Sequence, residues 1–174
     1  LLTNQQELNQ AQIRMLQAQL NPHFLCNTLD TMKWISKINK VPQVAMMATN
    51  LADILRFCIS AEEFVPLYRE MEILHRYIEI QKLRLSDDFS FSECIPEELY
   101  DCMVPKMILQ PIVENAILHG IDGQSGSTIR ICARVADGLL QIDVTDNGRG
   151  FPQEMLGQPY GRDKGLAKGH LGLY

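Results

Sequence analysis

Apolar residues recur along the first part of the chain at helical spacing. Leu1, Leu8 and Met15 repeat at sevens, and Ile13, Leu16, Leu20 and Phe24 make a second stripe at threes and fours. With Gln, Leu, Ala and Asn abundant and no Gly or Pro before Pro22, residues 1–20 read as a helix that continues upstream, packed as a coiled coil or bundle. Asn21-Pro22 admits two readings: an Asn cap with Pro at the first position of a new helix, or a kink in a continuing one. The stripe shared by Leu20 and Phe24 favours the kink. Leu25, Leu29, Met32 and Ile35 carry the pattern to about Ile38, and Asn39-Lys40-Val41-Pro42 ends it. A second helix, from about Gln43 to Ser60, places Val44, Met47, Leu51, Ile54, Leu55 and Cys58 toward an antiparallel partner. Two helices bury too little by themselves. A homodimer is expected, in which two hairpins make a four-helix bundle and His23 stays on an exposed face.

Phe64-Val65-Pro66-Leu67 breaks the pattern, and a third helix runs from Tyr68 to about Leu85. Leu67, Met71, Leu74, Ile78 and Leu85 form its buried stripe, with Glu70, Glu72, Arg76, Lys82 and Arg84 largely outside it. After Ser86-Asp87-Asp88 the period changes. Phe89, Phe91 and Cys94 alternate as in a strand, Val104 to Leu118 reads as a helix, and Thr128 to Val135 and Leu139 to Thr145 read as strands joined by Ala136-Asp137-Gly138. A hairpin beside a helix implies an α/β sandwich. The fold class is therefore α+β, with a helical hairpin in residues 1–63 and an α/β sandwich in residues 64–174. The boundary falls near residues 62–67.

Composition narrows the function classes. The 174 residues suffice for one domain or for two small modules. Sixteen Lys plus Arg against twenty-one Asp plus Glu give a formal charge of −5 without a basic run, which argues against direct nucleic-acid binding. No apolar run approaches the ~18–20 residues that a bilayer crossing needs, and no signal peptide opens the chain, so an aqueous compartment is expected. Cys26, Cys58, Cys94, Cys102 and Cys132 are scattered, odd in number and lack a CxxC pair, as suits reduced cytosolic thiols. His23 and Cys26 could share a helix face, but no second pair at ligand spacing completes a metal site.

Three stretches carry candidate chemistry. In Leu20-Asn21-Pro22-His23-Phe24-Leu25, a water-facing His23 would be a phosphoacceptor, because neutral imidazole predominates near pH 7 and has a nucleophilic lone pair. A surface or capping histidine would look the same. Glu114-Asn115, with His119 a turn beyond, offers oxygen ligands for a Mg²⁺ shared with nucleotide phosphates and a carboxylate for a ligand water or a proton. A buried polar pair is the plainer alternative. Asp146-Asn147-Gly148-Arg149-Gly150 follows a strand, so Asp146 would emerge at its end, free to accept the exocyclic amine of adenine. Asn-Gly is equally common turn chemistry. The Gly-, Pro- and charge-rich segment 152–168 could be a lid over a nucleotide or an ordinary loop. Gly169-His170-Leu171-Gly172-Leu173 could cradle phosphate on backbone amides.

In this order and at these separations the stretches resemble the LytS/YesM-type sensor histidine kinases, a branch of the two-component histidine kinases. The matching residues are Gln19 to Leu25 with Asn27-Thr28-Leu29, then Val65-Pro66-Leu67 with Glu70, Tyr77, Ile80 and Arg84. They continue through Pro105, Leu109-Gln110-Pro111, Val113-Glu114-Asn115-Ala116 and His119-Gly120, to Asp146-Asn147-Gly148 with Gly150. The resemblance implies a dimeric phosphoacceptor module followed by a GHKL-type ATP-binding domain, the fold of gyrase and Hsp90. By that likeness His23 receives the γ-phosphoryl group of ATP, and Asn115 ligates Mg²⁺ with Glu114 and His119 beside the metal and phosphates. Asp146 recognises adenine, and Gly148, Gly150 and Gly172 shape the pocket and lid. The implied partners are a second copy of the chain, a response regulator with a phosphoacceptor aspartate, and upstream sensor and transmembrane segments. The chain would be the cytoplasmic portion of a bacterial membrane sensor.

The sequence departs from the family pattern in places. Cys26 stands where an aromatic residue is usual and His170 where glycine is usual. The chain ends at Tyr174 inside the last glycine box, so the expected fold is C-terminally incomplete. No acidic residue follows His23. Asn27, one turn on, can hydrogen-bond the imidazole but cannot act as a base. A non-catalytic dimeric signalling module, a degenerate kinase relaying conformational change, is the alternative reading. ATPases and serine kinases of the same fold are a third class, which leaves His23 unexplained.

Overall fold

The computed structural model describes residues 22–85, 89–120, 126–148 and 150. Its contacts divide the chain between Ala61 and Glu62 into two compact units.

The first unit is a helical hairpin of α1 (Pro22–Ile38) and α2 (Pro42–Ile59). Lys40 takes a left-handed φ of 57°. Its N–H donates to the Lys37 carbonyl at 3.2 Å, and the Val41 N–H donates to the Ser36 carbonyl at 2.9 Å. These paired bonds satisfy the last carbonyls of α1 and turn the chain. Pro42, which cannot continue α1, serves at the start of α2.

The face shared by the two helices differs from the stripes expected from periodicity. Cys26 and Ser36 are buried on α1, and Ala45, Ala48, Asn50, Ala52, Ile54 and Phe57 on α2. Of the expected positions, Met32, Ile35, Val44, Met47 and Leu51 are exposed, and of the six expected on α2 only Ile54 is buried. The reason is in part steric: Ala45, Ala48 and Ala52, at threes and fours, present small side chains to the shared face beside Ile54 and Phe57. Ser36 Oγ satisfies itself by donating to the Met32 carbonyl at 2.7 Å. Arg56 bridges the hairpin to Asp30 at 2.8 Å and also holds Asp53 at 3.0 Å, half-exposed pairs worth at most about 1 kcal/mol each.

The second unit runs β1 (Phe64–Pro66), α3 (Leu67–Arg84), β2 (Phe89–Cys94), a 3-10 turn (Glu97–Leu99), β3 (Met103–Pro105), α4 (Leu109–Gly120), β4 (Ser127–Ala136) and β5 (Leu139–Asp146). The break in the helical pattern gains a structure here, and one expectation is corrected. Phe64-Val65-Pro66 is a strand, paired antiparallel with β3 so that buried Val65 lies opposite buried Val104. The helix expected from Val104 begins at Leu109 instead, because Pro105 confines Val104 to extended backbone and Met107 turns left-handed at φ 64°.

The larger sheet has the order β2-β4-β5. β2 and β4 are parallel, joined by a crossover through β3 and α4, and β4 and β5 form an antiparallel hairpin. Asp137 at φ 52° and Gly138 at φ 76° make the two-residue turn, whose backbone twist matches that of the strands. Ile129, Ile131 and Ala133 alternate inward along β4. The unit's core combines them with Leu109, Val113, Ala116 and Ile117 of α4 and with Leu67, Met71, Leu74 and Ile78 of α3. Leu85 is only half-buried, past the end of its helix. This is an α/β sandwich after a helical hairpin. No helix among the described residues is long and apolar enough to cross a membrane.

Candidate functional site

In the first unit, His23 is exposed in the first turn of α1, and its Nδ1 lies 3.3 Å from Asn27 Nδ2. The i,i+4 spacing stacks the two side chains on one helix face. Cys26 turns the other way and is buried, so its thiol has a packing role. Among the described residues no group of three or more His, Cys, Asp or Glu side chains is placed to hold a metal ion. The choice between a kink and a new helix at Asn21 lies outside the described residues.

In the second unit, α4 carries the pair Glu114-Asn115. Burial of Leu109, Val113, Ala116 and Ile117 fixes which side of the helix meets the core, leaving Glu114 exposed and Asn115 half-exposed. The pair is therefore not a buried polar pair satisfying the core. His119 and Gly120 occupy the last turn of α4. Tyr77 on α3 lies close enough to Glu114 to register its charge. Burial first, and the Glu114 carboxylate second, push the Tyr77 hydroxyl up to about 12, against smaller opposing effects of Arg84 and Gln81. Tyr77 thus remains a protonated donor throughout the physiological range.

The N-terminus of α4 is anchored by a residue that periodicity assigned to the surface. Glu70 is only 3% exposed, and its carboxylate accepts from Met107 N at 2.9 Å and from Leu109 N at 3.0 Å. Helix N-termini leave N–H groups without partners and carry partial positive charge, so a carboxylate from α3 acts as a remote cap. It also holds Met107 in its left-handed conformation, which costs a side-chain-bearing residue about 1–3 kcal/mol. A signal was present: Glu70 lies three residues after Leu67 and four before Leu74, on the flank of the buried stripe.

Asp146 is exposed at the end of β5, opposite Ile129 of β4. Its Oδ1 accepts from Gly148 N at 2.9 Å, which shapes the following turn. Gly150 has φ 69°, a conformation that glycine adopts without strain. Gly172, with His170 and segment 152–168, lies outside the described residues.

Asn147, which reads as turn chemistry in the sequence, latches this end of the sheet. Its Oδ1 accepts from Thr128 N at 2.7 Å, its Nδ2 donates to the Gly126 carbonyl at 3.0 Å, and its own N–H donates to the Thr128 carbonyl at 3.3 Å. The side chain prolongs the β4-β5 ladder by one step and fixes where Asp146 emerges. Asn147→Ala is expected to cost about 1–2 kcal/mol, the net worth of two hydrogen bonds, and to raise amide exchange at Thr128. Unchanged exchange there would count against the latch.

Residues 11–89 match the family model described as histidine kinase, and residues 104–174 match that of the histidine kinase-, DNA gyrase B-, and HSP90-like ATPases. The chain is 36% identical over 91% of its length to the sensor histidine kinase YesM of Bacillus subtilis, covering 28% of that protein. It is 35% identical over 86% of its length to the sensor protein LytS of Oceanobacillus iheyensis, covering 26% of it. It is 35% identical over 80% of its length to the sensor histidine kinase BtsS of Escherichia coli, covering 25% of it. The chain thus spans about a quarter of the length of these curated relatives. The first matched segment takes in the helical hairpin together with β1 and α3 of the second unit, and the second takes in α4 and the β4-β5 hairpin, so that the chain belongs to the LytS/YesM-type sensor histidine kinases.

Proposed function

We propose that this chain is the cytoplasmic catalytic region of a sensor kinase, which uses MgATP to phosphorylate His23 and passes the phosphoryl group to an aspartate of a response regulator. The observation that carries the reading is the exposed imidazole of His23 with Asn27 one turn away. Nucleophilic attack by Nε2 needs its lone pair free, hence the tautomer with hydrogen on Nδ1. Asn27 favours that tautomer when its amide presents oxygen to Nδ1–H, the opposite amide orientation from a donating Nδ2. His23 Nε2 then forms a bond to the γ-phosphorus as the bond to the departing ADP oxygen breaks.

The second unit supplies binding and positioning. Asp146 accepts the adenine amine with the carboxylate oxygen that Gly148 does not engage, and Asn147 keeps that strand end in place. Glu114 and Asn115 present hard oxygen donors side by side on an accessible stretch of α4, which suits Mg²⁺. That ion is ordinarily held by one or two protein groups together with phosphates rather than by a protein cage. Asn115 is the ligand, Glu114 orders a ligand water or moves a proton, and His119 stands beside the phosphates. Bound Mg²⁺ would neutralise phosphate charge. Gly148, Gly150 and Gly172 serve the pocket and lid.

Dimerisation is part of the proposal. Phe24, Trp34 and Ile38 are 63, 62 and 77% exposed on the hairpin. A second hairpin covering them would complete a four-helix bundle. The whole receptor would add sensor and membrane-spanning segments.

Incubating the intact protein with Mg²⁺ and γ-labelled ATP should give acid-labile label that His23→Gln abolishes. Absence of label in folded protein that binds ATP would overturn the kinase reading and leave a non-catalytic dimeric signalling module.

A further inference from the structure

The outer face of the larger sheet carries a pair of thiols that the kinase reading does not use. Cys94, the last residue of β2, lies directly opposite Cys132 of β4 in the parallel register. Side chains of directly paired residues point to the same face. Neighbouring strands lie ~4.8 Å apart, within the ~4.4–6.8 Å between Cα atoms that a disulfide spans. The face is the accessible one. Phe91 packs edge-on against His75 of α3, and Glu93 pairs with the same histidine at 3.3 Å, so the odd positions of β2 face the helices and the even ones face away. Cys94 is exposed and Cys132 half-exposed, both as free thiols. We propose that Cys94 and Cys132 are a redox-active dithiol, a modification site that a low-molecular-weight disulfide converts to a cross-strand disulfide.

The surroundings assign the two roles. The thiols hydrogen-bond to each other, and Arg130, two residues before Cys132 on β4, reaches both. The bond from Cys132 first, and Arg130 second, hold Cys94 below the usual thiol range, whereas the bond to Cys94 and desolvation raise Cys132. Among the described residues the remaining charges of this face are Asp143, opposite Cys132 on β5, and Arg134, which binds Asp143 at 2.8 Å and offsets it. Cys94, the more exposed of the two, is the attacking thiol and Cys132, half-covered on the central strand, the resolving one. Cys94 S⁻ attacks one sulfur of the small disulfide RSSR, forming Cys94–S–S–R and releasing RS⁻. Cys132 then loses its proton and attacks Cys94 Sγ, forming the Cys94–Cys132 bond and releasing a second RS⁻. Two protein thiols are oxidised, one RSSR is reduced to two RSH, and the two thiol protons end on the released thiolates. Cys94 ends its strand just before Ile95-Pro96, so its backbone can adjust to the bridge. In the reducing cytosol such a bond would be transient, as befits a sensor of thiol-disulfide poise. A soft metal ion is less well served, because no group of three or more candidate ligands exists among the described residues.

The test is to treat the intact, folded protein with oxidised glutathione, block free thiols with an alkylating agent and map the peptides. A Cys94–Cys132 linked peptide is expected, reversed by dithiothreitol. Alkylation of both residues should fall about tenfold or more, while Cys58 and Cys102 react as before. Cys132→Ser should trap Cys94 as a glutathione mixed disulfide, and Cys94→Ser should leave Cys132 alkylatable. A wild-type protein in which both thiols stay alkylatable, or in which the mixed disulfide persists beside free Cys132, overturns the proposal. So does a reduced protein that retains one Zn²⁺ per chain on these two cysteines and resists linkage.

Discussion

Glu70→Ala is expected to destabilise the second unit by roughly 3–5 kcal/mol. The substitution removes two charge-assisted hydrogen bonds, of which the one from Leu109 N lies in a buried setting. It also takes a negative charge from the N-terminus of α4 and releases a left-handed methionine that the carboxylate holds. Glu70→Gln keeps one acceptor oxygen but turns an amide N–H₂ toward the other donor, so about half the loss should remain. Trp34, the single tryptophan, belongs to the first unit, so its fluorescence should hold while far-ultraviolet circular dichroism and exchange at the Leu109 amide report the loss. A Glu70→Ala protein within about 1 kcal/mol of wild type would show that water or local rearrangement replaces the cap. Because α4 carries Glu114 and Asn115, the same variant should lose ATP-dependent labelling even where it stays folded.

Asn115→Ala is expected to do the reverse, leaving stability intact while removing activity. Asn115 is half-exposed in a helix, and alanine is the better helix former, so the midpoint of unfolding should stay or rise slightly. If the amide oxygen is a Mg²⁺ ligand beside the phosphates, labelling should fall by about 10² or more, the usual cost of losing a group that offsets transition-state charge. Raising the Mg²⁺ concentration should recover part of it. Labelling within twofold of wild type would remove Asn115 from the site and move the metal ligand elsewhere.

Much of this fold was legible because the periodicities are strong. The hairpin helices, the third helix and the β4-β5 ladder follow from spacings of three to four and of two, and Ala136-Asp137-Gly138 announces its turn. What was not legible depended on contacts far apart in sequence. Periodicity marks large apolar residues, but the packed side of α1 and α2 is the one with alanines at 45, 48 and 52 beside Ile54 and Phe57. Val104 looked helical until its pairing with Val65 and the constraint of Pro105 decided otherwise. Glu70 looked like a surface charge because its partners are 37 and 39 residues away. Of the candidate site, the accessibility of His23, Glu114 and Asp146 is visible in the structure, whereas the latch by Asn147 needed the positions of Gly126 and Thr128, distant along the chain.

The central claim is that the nucleophile is the imidazole of His23. The most direct measurement is to label the intact protein with γ-labelled ATP and Mg²⁺, digest it near neutral pH and sequence the labelled peptide by mass spectrometry. The account predicts one phosphopeptide, stable to alkali and lost in mild acid, with the phosphoryl group on His23. A folded, ATP-binding protein whose label resists acid, or maps to a serine, a threonine or another histidine, would contradict it.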